Sequence, residues 1–172
     1  KDMTVKPYTA AGAGNAGGIR LLSCNTITIE NIWTYCDATS GVGAAILVEK
    51  STASAAITID GCTIINLGTV NGRNHGVRLQ GSVTGFKVKN CTFRDIRTGV
   101  YLEDNISGSP VAPKIINCLI AYMQREGIYM VDVQGTSDST PLVENCTIVH
   151  CGTAQVGGSE YGINIEGSSG SL

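Results

Sequence analysis

Four polar side chains occur at matching positions along the sequence and could together contact a charged sugar. Arg78, Tyr101 and Tyr129 each take the third place in a Gly-apolar-polar-apolar segment, and Glu103 follows Tyr101 by two residues. Tyrosine rings can pack against sugar rings, and guanidinium groups bind carboxylates through paired hydrogen bonds. The pattern therefore predicts contact with an extended, acidic polysaccharide, with these four residues as the substrate-binding set.

A second set of residues could supply catalysis. A lyase needs an arginine or lysine base, together with Ca²⁺ or another cation that neutralises the substrate carboxylate. Arg78 or Arg97 with Glu103 could supply the first part, and Asp104 and Asp132 are the candidates for holding a metal ion. No complete lyase motif is matched, so catalysis stays open. No cofactor is expected unless the chain is a lyase that uses Ca²⁺.

Basic residues gather around the same strands. Five of the six arginines fall on or beside them: Arg20, Arg73, Arg78, Arg97 and Arg125. His75 and His150 are interpreted as loop or turn residues. A purely structural interpretation also stays open, because tyrosine is common on exposed strand faces and surface ion pairs contribute little stability.

Two repeated patterns set the register of these residues. The first, Gly-apolar-x-apolar, begins at Gly18, Ala45 (in place of glycine), Gly76, Gly99, Gly127 and Gly162. The second, apolar-x-Asn-(Cys or Ile), begins at Ile29, Ile59 (with Gly61 in place of Asn), Val88, Ile115 and Val143. The first recurs after 23–35 residues and the second after 27–30 residues. The variation in length therefore lies in the loops between the two patterns.

The apolar runs are short and alternate with a period of two, which is typical of strands rather than helices. Short β-branched strands that repeat in this way predict a coil of parallel strands, with one strand in each of three stacked sheets. We assign the first strand to the Gly-apolar-x-apolar segment, the second to the apolar pair before Asn, and the third to the segment starting at Cys. The predicted fold is all-β, a parallel β-helix (solenoid) of about five to six coils.

Four cysteines occupy the same position in successive coils. Equivalent residues of stacked parallel strands lie about 4.8 Å apart, so these cysteines should form an inward column with Ile32 continuing it. The column comprises Cys62, Cys91, Cys118 and Cys146. The Asn before each cysteine suits a tight bend with positive φ, as does Gly61. We expect buried free thiols, with one or two disulfides as the alternative; the spacings of a zinc site are missing.

The coil length, the Asn positions and the stacked apolar columns resemble the right-handed parallel β-helix proteins of the pectate-lyase-like (pectin-lyase-like) superfamily, over about residues 18–166. The resemblance implies a right-handed β-helix. That superfamily includes polysaccharide lyases, glycosidases, phage tailspikes, adhesins and structural proteins, so the fold does not fix the function. His75-Gly76 matches part of a polygalacturonase-type motif. The paired acidic motifs of that family are missing and Tyr101-x-Glu103 replaces its basic strand, so that activity is rejected.

A chain of 172 residues predicts one domain, with residues 1–17 as an N-terminal segment that partly caps the coils at 18–172. The net charge of −2 argues against nucleic acid as a partner, and no apolar run is long enough to span a membrane. The open ends of a β-helix predict self-association or pairing with additional coils. Although the given chain shows no signal peptide, we expect a secreted protein or one at a cell or virion surface.

These observations leave several function classes open. The first is a carbohydrate-associated β-helix protein that binds or cleaves an acidic polysaccharide on the first sheet; as an enzyme it would be a polysaccharide lyase or a glycoside hydrolase. The alternative is a non-catalytic structural module or an adhesion or tailspike-type module. The chain could also be a fragment of a longer β-helix protein.

Overall fold

The computed structural model of the chain is a stack of parallel strands. It describes residues 3–5, 16–24, 26–36, 42–49, 56–66, 73–81, 83, 85–103, 113–131, 141–152 and 161–166. In these ranges the regular elements are strands, numbered β1 to β17 in chain order. Each strand pairs in parallel with the equivalent strand of the next coil, so the predicted solenoid is confirmed.

Each coil contributes one strand to each of three sheets. The first sheet contains β2 (Ala16–Leu22), β5 (Val42–Glu49), β8 (Arg73–Gln80), β11 (Thr98–Glu103), β14 (Ile128–Val131) and β17 (Ile163–Glu166). The second contains β3 (Thr26–Glu30), β6 (Ala56–Asp60), β9 (Gly85–Lys89), β12 (Lys114–Ile116) and β15 (Leu142–Glu144). The third contains β1 (Met3–Val5), β4 (Ile32–Cys36), β7 (Thr63–Asn66), β10 (Thr92–Arg94), β13 (Leu119–Ala121) and β16 (Thr147–Val149).

The core lies inside the coils, where alternate side chains point inward, as in β6 and β9. Phe86 and Phe93 are its largest fully buried side chains. The predicted cysteine column is confirmed: Cys62, Cys91 and Cys118 are buried, while Cys146 is half-buried. Each of these thiols donates a hydrogen bond to a backbone carbonyl two residues earlier, at 3.1–3.4 Å. The cysteines whose side chains are described are all free thiols.

The bend between the second and third sheets uses the left-handed backbone conformation that the sequence predicted. The asparagines there have φ values of 51° to 54° and Gly61 has a φ of 62°. Side-chain amides also join successive coils, because Asn117 Nδ2 donates to Asn90 Oδ1 at 3.3 Å and Asn90 Nδ2 donates to Asp60 Oδ1 at 2.7 Å. Asparagine therefore serves both the bend and the stacking at this corner.

Glycines within or directly before several first-sheet strands allow the coils to approach closely. A Cβ atom on Gly99 would lie 2.7 Å from the carbonyl oxygen of Gly127 and 3.0 Å from Ile120 Cγ2. A Cβ atom on Gly76 would lie 2.5 Å from the carbonyl oxygen of Gly99. Because a backbone carbonyl of the next coil cannot move away on its own, these positions exclude a side chain.

The inward column of the first sheet ends on an exposed residue among those described. Ile165 pairs in register with Met130, yet Ile165 is 63% exposed and Met130 only 1%. Self-association or pairing with additional coils at this edge stays a prediction.

Replacing Cys118 by Asp should severely destabilise the fold. The substitution places a carboxylate in the middle of the cysteine column without a cationic partner, which should lower the free energy of unfolding by about 3–5 kcal/mol. Urea denaturation followed by circular dichroism measures the loss. Cys118→Ala is the matched control and should cost on the order of 1 kcal/mol, since it removes one buried sulfur atom. Similar midpoints for the two variants would contradict an inward, dry column.

Candidate functional site

Two outward rows of side chains run across the first sheet from coil to coil. The strand register defines both rows and confirms the matching positions predicted for Arg78, Tyr101 and Tyr129. One contains Arg20, Leu47, Arg78, Tyr101, Tyr129 and Asn164. The other contains Leu22, Glu49, Gln80, Glu103, Val131 and Glu166. The four residues predicted to bind substrate therefore lie on three neighbouring strands, β8, β11 and β14.

A cleft of about 240 Å³ lies over these three strands. Its charged lining consists of Arg78, Arg97, Glu103, Arg125 and Glu126, and the other lining side chains are His75, Thr98, Tyr101 and Tyr129. The structure thus brings together the four predicted binding residues and the predicted catalytic candidate Arg97. Arg125, Glu126, Thr98 and His75 complete the lining; the sequence had placed Arg125 beside these strands but had named none of the four as a site residue.

The turns before β11 and β14 position Arg97 and Arg125. Asp95 and Tyr122 take the same bend in successive coils, with φ values of 57° and 59°. The segments after these bends stack, because the backbone N–H of Arg125 donates to the carbonyl oxygen of Arg97 at 2.9 Å. Two like-charged side chains therefore start from adjacent positions on neighbouring coils, about 4.8 Å apart. Such an arrangement is unfavourable unless negative charge lies nearby.

The aromatic residues of the cleft form a ladder along the coil axis. The rings of His75 and Tyr101 are stacked, with centroids 4.5 Å apart and an angle of 19° between the planes. The Tyr129 ring follows at 5.2 Å from Tyr101, tilted by 50°. The Arg78 guanidinium also lies 5.5 Å from the Tyr101 ring centroid. Because neighbouring side chains contact the Tyr101 ring along the ladder, it offers a ligand its edge and hydroxyl group more than an open face.

His75 lies in a strand rather than in the loop that the sequence suggested, because β8 begins at Arg73. Its side chain is buried beneath Tyr101. Burial, followed by the positive charges of Arg78, Arg97 and Arg125, lowers the pKa of His75 to about 3. The imidazole is therefore neutral near pH 7 and adds no charge to the cleft.

Carboxylates of the second outward row accept hydrogen bonds from the first row of the preceding coil. Arg78 Nη2 donates to Glu103 Oε2 at 3.0 Å, and the Tyr129 hydroxyl donates to Glu166 Oε2 at 2.7 Å. Burial and then this hydrogen bond raise the pKa of Tyr129, so its hydroxyl stays protonated. Arg20 and Glu49 form an ion pair of the same kind on earlier coils, again from the first row of one coil to the second row of the next. The repeated contact fixes the outward side chains of successive strands.

Glu126 is the most deeply buried charged residue of the cleft, with 1% of its side chain exposed. Its Oε2 atom accepts a hydrogen bond from the Thr98 hydroxyl at 3.1 Å, and its Oε1 atom lies 3.1 Å from Arg125 Nη2. The signal for Glu126 in the sequence was its position: it comes directly before Gly127, as Thr98 comes directly before Gly99 in the preceding coil. Nothing in the two repeats distinguishes this inward-turned carboxylate from a solvent-exposed loop residue.

The predicted metal candidates Asp104 and Asp132 lie outside the described residues. Within the part that is described, no group of three or more His, Cys, Asp or Glu side chains is arranged to hold a metal ion. The same part contains no helix of the length and apolarity needed to cross a membrane.

The cleft combines three positive and two negative side chains, and with neutral His75 its lining carries a net charge of +1. Guanidinium groups in a half-enclosed site bind carboxylates and other oxyanions strongly, because each can donate two parallel hydrogen bonds. The tyrosine hydroxyls beside them can bond to neutral hydroxyl groups. The arrangement is therefore suited to an anionic ligand that also carries hydroxyl groups.

Replacing His75 by Phe should keep an aromatic ring under Tyr101 while removing one titrating group. The pKa of His75 is about 3 in the folded protein and 6.5 in an unperturbed histidine. At a pH above the higher pKa, the histidine is neutral in both the folded and the unfolded state. At a pH between the two pKa values, only the unfolded chain binds the proton. The free energy of unfolding should therefore fall as pH falls through this window, by at most about 1.4 kcal/mol per pH unit.

Urea denaturation at several pH values between about 7.5 and 4.5 measures this effect, and the expected outcome is a smaller loss in His75→Phe than in the native chain. An identical pH dependence of the two proteins would contradict a buried, neutral His75.

Comparison with known proteins supports the fold. A family model described as the right handed beta helix region matches residues 9–172. No curated protein and no solved structure matches the chain. The matched region includes strands β2 to β17, and it agrees with the pectate-lyase-like resemblance of the repeats. The chain therefore belongs to the right-handed β-helix family.

Proposed function

We propose that the protein binds an acidic, uronate-containing polysaccharide in the cleft over β8, β11 and β14. The observation that carries this proposal is the gathering of three arginines, Arg78, Arg97 and Arg125, around a buried and neutral His75. Three guanidinium groups in one cleft go beyond what folding requires.

The spacing of the coils brings two positive charges together. Arg97 and Arg125 occupy stacked positions, so their charges repel each other. Glu126 offsets part of this repulsion and Glu103 pairs with Arg78. A further anionic group from a ligand would lower the remaining repulsion and gain hydrogen bonds that are strengthened by charge. Carboxylates of a polyuronate supply such groups at regular intervals.

The tyrosines give the proposed site its preference for sugars over simple anions. The Tyr101 and Tyr129 rings stand in line on neighbouring coils and present edges and hydroxyl groups to the cleft. Three strands span about 10 Å across the coils, a length that a short stretch of extended polysaccharide can cover. A chain lying from coil to coil would meet an arginine and a tyrosine together on this path.

The contacts favour binding over cleavage. Arg78, one candidate base, is held by Glu103 through an ion pair of 3.0 Å, so its Nη2 group is already engaged within the protein. His75 is buried under Tyr101 and cannot reach a substrate without movement of that ring. Binding needs none of the missing chemistry, so it is the function that the geometry supports best.

Binding to polygalacturonate should depend on Arg97 and not on an arginine elsewhere on the same sheet. We expect Arg97→Gln to weaken binding about tenfold, since one charged hydrogen-bonded contact is lost. Arg20→Gln is the matched control, because it removes the same charge from an exposed position outside the cleft. Isothermal titration calorimetry with the native chain and both variants, at low and moderate salt, measures the affinities. The native affinity should fall as salt rises.

Three results would contradict the proposal. The first is the absence of binding to polygalacturonate by the native chain, and the second is an equal loss in the two arginine variants. The third is equal binding to a carboxyl-reduced, neutral form of the same polymer. Release of unsaturated or reducing ends during the titration would show cleavage and so extend the function beyond binding.

A further inference from the structure

We propose that Glu126 is a positioning residue that fixes the Arg125 guanidinium for the bound anion. This inference rests on the proposed function for its role in the site. Its structural part, the fixing of Arg125, stands independently on the contacts of the cleft.

Glu126 links Thr98 to Arg125, and we call these three side chains the clamp. Its carboxylate is almost fully buried, accepts a hydrogen bond from the Thr98 hydroxyl on the preceding coil, and lies 3.1 Å from Arg125 Nη2. Thr98 is itself buried, so its hydroxyl has a well-defined place. The Thr98 hydroxyl thus fixes the carboxylate by a hydrogen bond, and the carboxylate holds the Arg125 guanidinium by its charge, since Oε1 makes no hydrogen bond in the described part of the protein. An arginine side chain that is not held in this way loses the rotational freedom of several bonds when it binds a ligand, and this loss of entropy weakens binding.

The clamp leaves part of the guanidinium available. Arg125 Nη2 faces Glu126, whereas Arg125 Nε is buried without a hydrogen-bond partner in the described part of the protein. The side chain remains 28% exposed. Glu126 thus holds one edge of the guanidinium by its charge, and the exposed part of the Arg125 side chain is what a ligand in the cleft can reach.

The two possible roles of Glu126 predict opposite effects. As a negative charge beside an anion site, Glu126 would weaken binding, and its removal would raise the net charge of the lining from +1 to +2 and strengthen binding. As a positioning residue, it would strengthen binding, and its removal would weaken binding despite the more positive cleft. The sign of the change in Glu126→Gln therefore separates the roles.

The first experiment needs no ligand. Nitrogen-15 relaxation of the Arg125 Nε–H group, assigned by its disappearance in Arg125→Lys, reports how rigidly the guanidinium is held. We expect an order parameter of about 0.8 in the native chain and below about 0.6 in Glu126→Gln. Glu49→Gln is the matched control, because it removes a carboxylate from the same sheet outside the cleft and should leave Arg125 rigid. An unchanged order parameter in Glu126→Gln would overturn the proposal.

The second experiment measures binding to polygalacturonate by calorimetry. Glu126→Gln should bind at least fivefold more weakly than the native chain, and Glu49→Gln should bind at least as tightly. Thr98→Val removes the other half of the clamp and should weaken binding in the same direction, so it decides the question if Glu126→Gln does not fold. Tighter binding by Glu126→Gln would overturn the positioning role. If the native chain binds no polygalacturonate, the proposed function fails, and the relaxation experiment alone decides whether Glu126 fixes Arg125.

Discussion

The spacing of about 4.8 Å between parallel strands of successive coils is the constraint on which the rest of the molecule depends. It requires each position of the coil to accept the same position of the next coil directly above it. Gly99 meets this requirement by having no Cβ where the Gly127 carbonyl approaches, and Cys118 meets it as a small apolar group in a dry column. Asn117 meets it by bonding to Asn90 through their side chains.

The same spacing that favours apolar columns works against columns of like charge. Arg97 and Arg125 stack on neighbouring coils, and the protein accommodates them with a buried carboxylate beside one of them and a histidine kept neutral nearby. The cleft is therefore close to electrical balance although three guanidinium groups line it. Its remaining positive charge and the hydroxyl groups of the tyrosines are the features that a sugar acid could use.

The parts of the structure that repeat from one coil to the next could be predicted from the sequence. The row through Arg78, Tyr101 and Tyr129 and the left-handed asparagines both follow from the repeat, because a residue type at one position recurs at the same place in the next coil. The burial of His75 was missed because the sequence assigned the residue to a loop, although β8 includes it. The burial of Glu126 could not be predicted because it lies in the segment of variable length before β14. There the period-two alternation ends, and the direction of a side chain depends on the bend at residues such as Tyr122.

The near-constant distance between equivalent positions also bears on how the chain folds. The second-sheet pattern recurs every 27–30 residues, so each coil finds its partner a short and similar distance away along the chain. Once the first coils have formed, adding a coil closes a loop of nearly the same size each time, with nearly the same loss of entropy. Growth then proceeds by nearest-neighbour steps. The rate of folding should then depend on forming the first two or three coils and only weakly on how many coils follow.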